Sequence, residues 1–181
     1  ANVLEDSTTI MTIRVSKHPK GPWTTVSSGS FMTKSWTWRT WTSNPSLYVH
    51  PNGTHYMAYK GKDYTVYTKP KIGIAWAPSA GGPWEDLVHG PVLHEHVEDP
   101  HLYWGKDQLE LLLHVYRVDS PFAVWKWNVS GMFPLVHRAP WYARQRPALL
   151  KDRDNIPVGL VNSVIDTKGG FGSTKVFAYK T

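Results

Sequence analysis

An all-β fold built of propeller blades is predicted by two internal markers and by the strand pattern between them. Ser43-Asn44-Pro45-Ser46-Leu47-Tyr48, Glu98-Asp99-Pro100-His101-Leu102-Tyr103 and Gln145-Arg146-Pro147-Ala148-Leu149-Leu150 each place two polar residues before a proline and a short apolar run. The three prolines are 55 and 47 residues apart, and a second marker, Gly-Pro-Trp, recurs at 21–23 and 82–84, 61 apart. Repeats of this length, made of short strands and turns, are the mark of four-stranded antiparallel blades.

The elements follow in order. Ile10-Met11-Thr12-Ile13-Arg14-Val15 is β-branched and leads through Lys17-His18-Pro19-Lys20 into Gly21-Pro22-Trp23-Thr24-Thr25-Val26, a two-strand unit. A complete blade comes next, with strands at 47–50, 55–59, 72–77 and 84–87 and a Pro51-Asn52-Gly53 turn in its first hairpin. Another runs through His101–Trp104, Gln108–His114, Ala123–Trp127 and Phe133–Val136. The last begins at Ala148-Leu149-Leu150, continues at Val158-Gly159-Leu160-Val161 and ends at Lys175–Tyr179. Two strands, four, four and three make about three blades, whereas closed propellers typically need at least four. The expectation is a single propeller domain or propeller segment over 1–181, either completed by further chain, by a partner or by another copy, or with irregular terminal strands.

Composition bounds the function. At 181 residues, 41% hydrophobic and 13% aromatic, the chain can fill a core. No apolar run of about 18 residues predicts a membrane span. The start, Ala1-Asn2-Val3-Leu4-Glu5-Asp6, lacks the basic-then-apolar pattern of a signal peptide, so a secreted protein would have lost its signal already. Without cysteine there are no disulfides, which neither requires nor forbids an extracellular home. Asn52-Gly53-Thr54 and Asn128-Val129-Ser130 are glycosylation acceptors and tilt the reading toward the secretory route. A net charge of +6 suits an anionic partner. Lysines and arginines are spread singly, as at Lys17, Lys20, Lys34, Lys60, Lys62, Lys69 and Lys71, and no nucleic-acid motif accompanies them, so no nucleic-acid role is expected.

Ser43-Asn44-Pro45-Ser46, Gly73-Ile74-Ala75, Gly82-Pro83-Trp84, Glu98-Asp99-Pro100-His101-Leu102-Tyr103, His114, Arg146-Pro147-Ala148-Leu149-Leu150 and Gly159-Leu160-Val161-Asn162-Ser163 stand in an order that resembles five-bladed β-propellers of the glycoside hydrolase family 43 type. The likeness is greatest to poorly characterised secreted eukaryotic members, and it covers only the middle and later blades. It implies inverting hydrolysis of glycosidic bonds by carboxylates at the starts of the innermost strands. One carboxylic acid protonates the leaving oxygen and an opposed carboxylate activates water, with roughly 6.5–9.5 Å between them.

By that resemblance Asp99 corresponds to the aspartate that orients substrate and adjusts the acid's pKa. Glu98 competes for the role, because neighbours on a regular strand point to opposite faces. His114 resembles a histidine near the propeller axis, sometimes beside an ion. No cofactor is therefore required, and a central calcium ion is an allowed addition. Otherwise both residues have ordinary structural readings: an acidic pair capping a turn before Pro100, and a core histidine.

The departures bear on catalysis. By the same resemblance, related sequences usually carry a glutamate before the Arg-Pro of the later blade, and here that residue is Gln145, whose amide cannot serve as a general acid near neutral pH. The earlier blade reads Ser43-Asn44, again without a carboxylate. Binding tolerates these losses better. Trp36, Trp38 and Trp41 offer flat rings for sugar faces, or else pack between blades. His94-Glu95-His96 with His101 lacks a recognisable zinc framework.

The chain is thus read as a secreted carbohydrate-interacting propeller, weakened or inactive in catalysis, with Asn44, Glu98, Asp99, His114, Gln145 and Arg146 around its mouth. The alternative is an active inverting hydrolase whose missing carboxylate lies outside this chain. A third class is an extracellular assembly protein, since unpaired strand edges must pair with something.

Overall fold

The structure, a computed structural model, describes residues 11–28, 38–63, 69–94, 97–105, 108–115, 124–128, 131–136, 143–154, 156–165 and 174–180. For 28, 114–115, 124–128, 131–136, 143–145, 162, 164–165 and 174–180 the description is of the backbone. Thirteen strands are described, in antiparallel sheets of two, four, four and three, as the sequence predicts. No described helix is long and apolar enough to cross a membrane. The chain divides into two units, residues 1–94 and 95–181.

In the first unit β1 (Thr12–Val15) pairs with β2 (Thr24–Ser28), and β3 (Trp41–Val49), β4 (His55–Lys62), β5 (Lys71–Ala77) and β6 (Glu85–Asp86) form a meander. The β3–β4 hairpin closes at Asn52-Gly53, where the left-handed conformation falls on Gly53 (φ 91°) and the Thr54 amide donates to Asn52 Oδ1 at 3.0 Å. The two Gly-Pro-Trp segments build the same turn. Each has a cis Gly–Pro bond and a left-handed glycine, Gly21 at 88° and Gly82 at 94°. Their tryptophans part company: Trp84 is 1% exposed and donates Nε1–H to the Ala80 carbonyl at 3.3 Å, whereas Trp23 is 54% exposed.

Trp84 is buried because Met11 and Ile13 of the β1 segment close over it together with Met57, Tyr59, Ala75 and Ala77. Beside this apolar cluster sits a buried ionic clamp. Arg39 Nη2 donates to Asp86 Oδ2 at 2.8 Å, and the Tyr59 hydroxyl donates to Asp86 Oδ1 at 2.6 Å. The Arg39 and Asp86 side chains are 6% and 1% exposed. The guanidinium carbon lies 5.5 Å from the Trp38 ring centre and 4.8 Å from that of Tyr59, a cation–π arrangement strengthened by desolvation. Tyr59 is paired with Gly73 across β4 and β5, and a side chain at 73 would run into its ring. The ring thus lies across a glycine that leaves it room. Burial pushes the Asp86 carboxyl above the usual carboxylate range, an effect that the Tyr59 hydrogen bond and the Arg39 charge oppose.

In the second unit β7 (Val97–Trp104), β8 (Leu109–Val115), β9 (Val124–Asn128) and β10 (Gly131–Val136) form one meander and β11 (Ala143–Lys151), β12 (Pro157–Ile165) and β13 (Thr174–Lys180) the other. β11 packs beside β7 and β8. Tyr103, Leu112 and Leu160 are buried between the two sheets with Leu149 against them.

Candidate functional site

The three polar-polar-proline segments all lie on the first strand of a sheet, and all three carry the same irregularity. On β3 the residues from Ser43 to Ser46 face Lys60 to Ala58 of β4. Glu98 to His101 on β7 face His114 to Leu112 of β8, and Gln145 to Ala148 on β11 face Ser163 to Val161 of β12. In each case the first strand contains one residue more than its partner, which is a β-bulge. The residue before the proline takes a left-handed backbone each time: Asn44 at φ 49°, Asp99 at 51° and Arg146 at 49°.

This geometry has a physical cause and a cost. Proline has no N–H to place in the ladder, so pairing is interrupted where it stands. A left-handed non-glycine residue costs on the order of 1–3 kcal/mol. Asn and Asp visit this region more readily than other side chains, through local hydrogen bonds. Arginine has no such relief, so Arg146 is the most strained of the three.

The bulge also alters which side chains share a face. Strict alternation would let only one of Glu98 and Asp99 face the same side. With Asp99 left-handed and the register shifted by one, alternation does not extend through the pair. Both residues are half-buried, whereas Arg146 is exposed and the following Pro147 is buried. Among the described residues no ion pair or hydrogen bond engages Arg146.

Asn44 occupies the bulge of the first unit and is half-buried. The backbone of Gln145 pairs with Ser163, and that of His114 lies opposite Glu98. The side chains of Gln145 and His114 lie outside the described ones. Among the described residues no three His, Cys, Asp or Glu side chains group as ligands. His114, the residue that the resemblance sets near a central calcium ion, is among those whose side chains lie outside the described ones. Of the metal reading at 94–96, His94 is exposed and 95–96 lie outside the described residues.

The tryptophans divide. Trp36 lies outside the described residues. Trp38 takes the packing option: it stacks on Tyr59 with ring centres 6.0 Å apart, and its buried Nε1 finds no partner among the described residues. Trp41 opens β3, half-buried, with Lys60 Nζ 5.2 Å from its ring centre. Asn52 is exposed at its hairpin tip, and Asn128 ends β9.

Sequence reasoning missed a polar cluster further along β7. His101 stacks on Tyr103 at 6.1 Å between ring centres, and Lys151 of β11 places Nζ 5.8 Å from the Tyr103 ring centre. Tyr103 hydrogen-bonds Glu110, and burial, then that carboxylate, pushes its hydroxyl far up. Burial, then the Lys151 charge, lowers His101 below the ordinary histidine value. Burial also lowers Lys151. The signal available in advance was modest: His101 and Tyr103 alternate on one strand and so share a face.

No family model and no curated protein matches this chain. Solved structures do. The endo-arabinase from Bacteroides thetaiotaomicron VPI-5482 superposes with a TM-score of 0.61 at 17% identity, covering 94% of this chain and 65% of its own. The Bacteroides ovatus protein described as xyloglucan PUL GH43B gives 0.55 at 14% identity, covering 88% of this chain and 32% of its own. An endo-1,4-beta-xylanase from Bacteroides thetaiotaomicron VPI-5482 gives 0.51 at 15%, covering 78% and 55%. The chain therefore has the all-β fold of propeller glycoside hydrolases and spans less than two thirds of the length of each.

Proposed function

We propose that this chain is a secreted, carbohydrate-binding propeller of the family 43 type in which hydrolysis is weakened or lost. The observation that carries the reading is the residue set at the three matching bulges. They read Ser43-Asn44, Glu98-Asp99 and Gln145-Arg146, so carboxylates come from one strand of the three. Inverting hydrolysis needs an acid and a base on opposite sides of the scissile bond. Two adjacent carboxylates on a single strand do not meet that requirement, and the amide of Gln145 cannot donate the proton.

What remains suits sugar recognition. In the second unit Asp99 and Glu98 can accept hydrogen bonds from hydroxyls, Gln145 can donate and accept, and Arg146 can donate. In the first unit Asn44 can donate and accept, and Trp41 offers an aromatic surface. The exposed acceptor Asn52 accords with passage through the secretory route. The names of the structural neighbours supply starting ligands: arabinan, xylan and xyloglucan.

Affinity electrophoresis of the folded protein through neutral and acidic polysaccharides tests the reading. Retardation by at least one of them, relieved about tenfold in Kd by Asp99→Asn, is the expected result. Migration unchanged by every polysaccharide would overturn it.

A further inference from the structure

Arg146 is a residue in the wrong conformation for its type. Its φ of 49° equals that of Asn44 and lies beside the 51° of Asp99, yet those two side chains suit left-handed backbone and a guanidinium does not. A strained residue that a more comfortable type could replace points to a task for its side chain. Here the side chain is exposed, and no ion pair or hydrogen bond engages it among the described residues. It stands at the bulge of β11, the strand that packs beside β7, whose own bulge carries Asp99.

We infer that Arg146 binds an anionic substituent of the glycan, so that the preferred ligand is an acidic polysaccharide bearing uronate carboxylates or sulfate esters. This rests on the carbohydrate-binding reading and narrows it. The planar fork of arginine matches carboxylate and sulfate oxygens with paired, charge-assisted hydrogen bonds. The residue before it, Gln145, is uncharged, so no carboxylate at that position competes for the guanidinium. The chain's net charge of +6 favours approach of a polyanion over the whole surface. Asp99 and Glu98 on β7 are left to the neutral hydroxyls, since they would repel the anionic group.

The test measures Kd for polygalacturonate, a sulfated carrageenan, arabinan and xylan at two salt concentrations. The proteins are wild type, Arg146→Asn, Arg146→Lys and the control Lys20→Gln, which removes an exposed charge in the first unit. Arg146→Asn is chosen because asparagine already occupies the matching φ at Asn44. The expected result is tighter binding of an acidic polymer, lost about tenfold or more in Arg146→Asn, partly kept in Arg146→Lys, and unchanged within about twofold in Lys20→Gln. Loss confined to polygalacturonate identifies a uronate, and loss confined to carrageenan a sulfate ester. Equal affinity for neutral and acidic polymers, or equal losses in Arg146→Asn and Lys20→Gln, would overturn the inference and leave glycan binding standing. Binding to none of the four by a folded sample would remove the inference, with failure across the full electrophoresis panel removing the carbohydrate reading as well.

Discussion

Asn44 and Asp99 hold the same backbone conformation at the same place in two different sheets, each the left-handed residue of a bulge and each followed by proline. Asparagine is therefore a conformational match for the aspartate, and Asp99→Asn removes charge without removing the fold. Thermal unfolding should show a smaller loss for it than for a residue that resists left-handed backbone. Asp99→Val, a β-branched residue forced to positive φ, should cost on the order of 1–3 kcal/mol. Equal stability of the two variants would contradict the role assigned to the bulge.

Much of the first strands was legible before the structure. The polar-polar-proline repeat marks where each blade begins, and the strand tally of two, four, four and three matches the sheets. The left-handed turn inside those strands was not legible. A residue before proline is ordinarily extended, and only the register shift shows one residue too many. Likewise, identical Gly-Pro-Trp segments leave Trp84 buried and Trp23 exposed. The tripeptide sets the turn, but burial depends on which neighbour covers the ring.

The Arg39–Asp86 pair lies 47 residues apart in sequence, and no periodicity links them. Removing one partner leaves the other charge buried. Asp86→Ala should therefore destabilise the first unit by about 3–5 kcal/mol. Tyr59→Phe, which removes one hydrogen bond to the same carboxylate, should cost about 1.5–3 kcal/mol. Urea unfolding of both variants checks the order; a Tyr59→Phe loss larger than that of Asp86→Ala would reverse the assignment of the main interaction.

Gly73→Ala tests packing in the same region. The added methyl group meets the ring of fully buried Tyr59, which also holds Asp86 and so has little freedom to move. A loss of about 1–3 kcal/mol is expected. Gly53→Ala meets no neighbouring atom but sits at φ 91°, so its cost should come from backbone strain alone. Comparing the two by calorimetry separates crowding from conformation.

His101 gives the second unit a dependence on pH. Its folded value lies below the ordinary 6.5 because of burial and then Lys151. Below about pH 6.5 the unfolded chain binds a proton that the folded state refuses, so stability falls as pH drops from 6.5 toward the folded value and then levels off. His101→Gln should flatten this limb, and Lys151→Met should shorten it by raising the folded value. Unfolding curves between pH 7.5 and 5 measure the effect; a histidine variant with the wild-type slope would exclude His101 as its source.

The most direct test of the central claim is release of reducing sugar from the polysaccharides that the protein binds, comparing wild type with Asp99→Asn. Carboxylates on one strand of three predict binding without release, with Asp99→Asn weakening binding and changing no rate above background. Release by the wild type that Asp99→Asn abolishes would contradict the claim and establish a working hydrolase with a second carboxylate elsewhere.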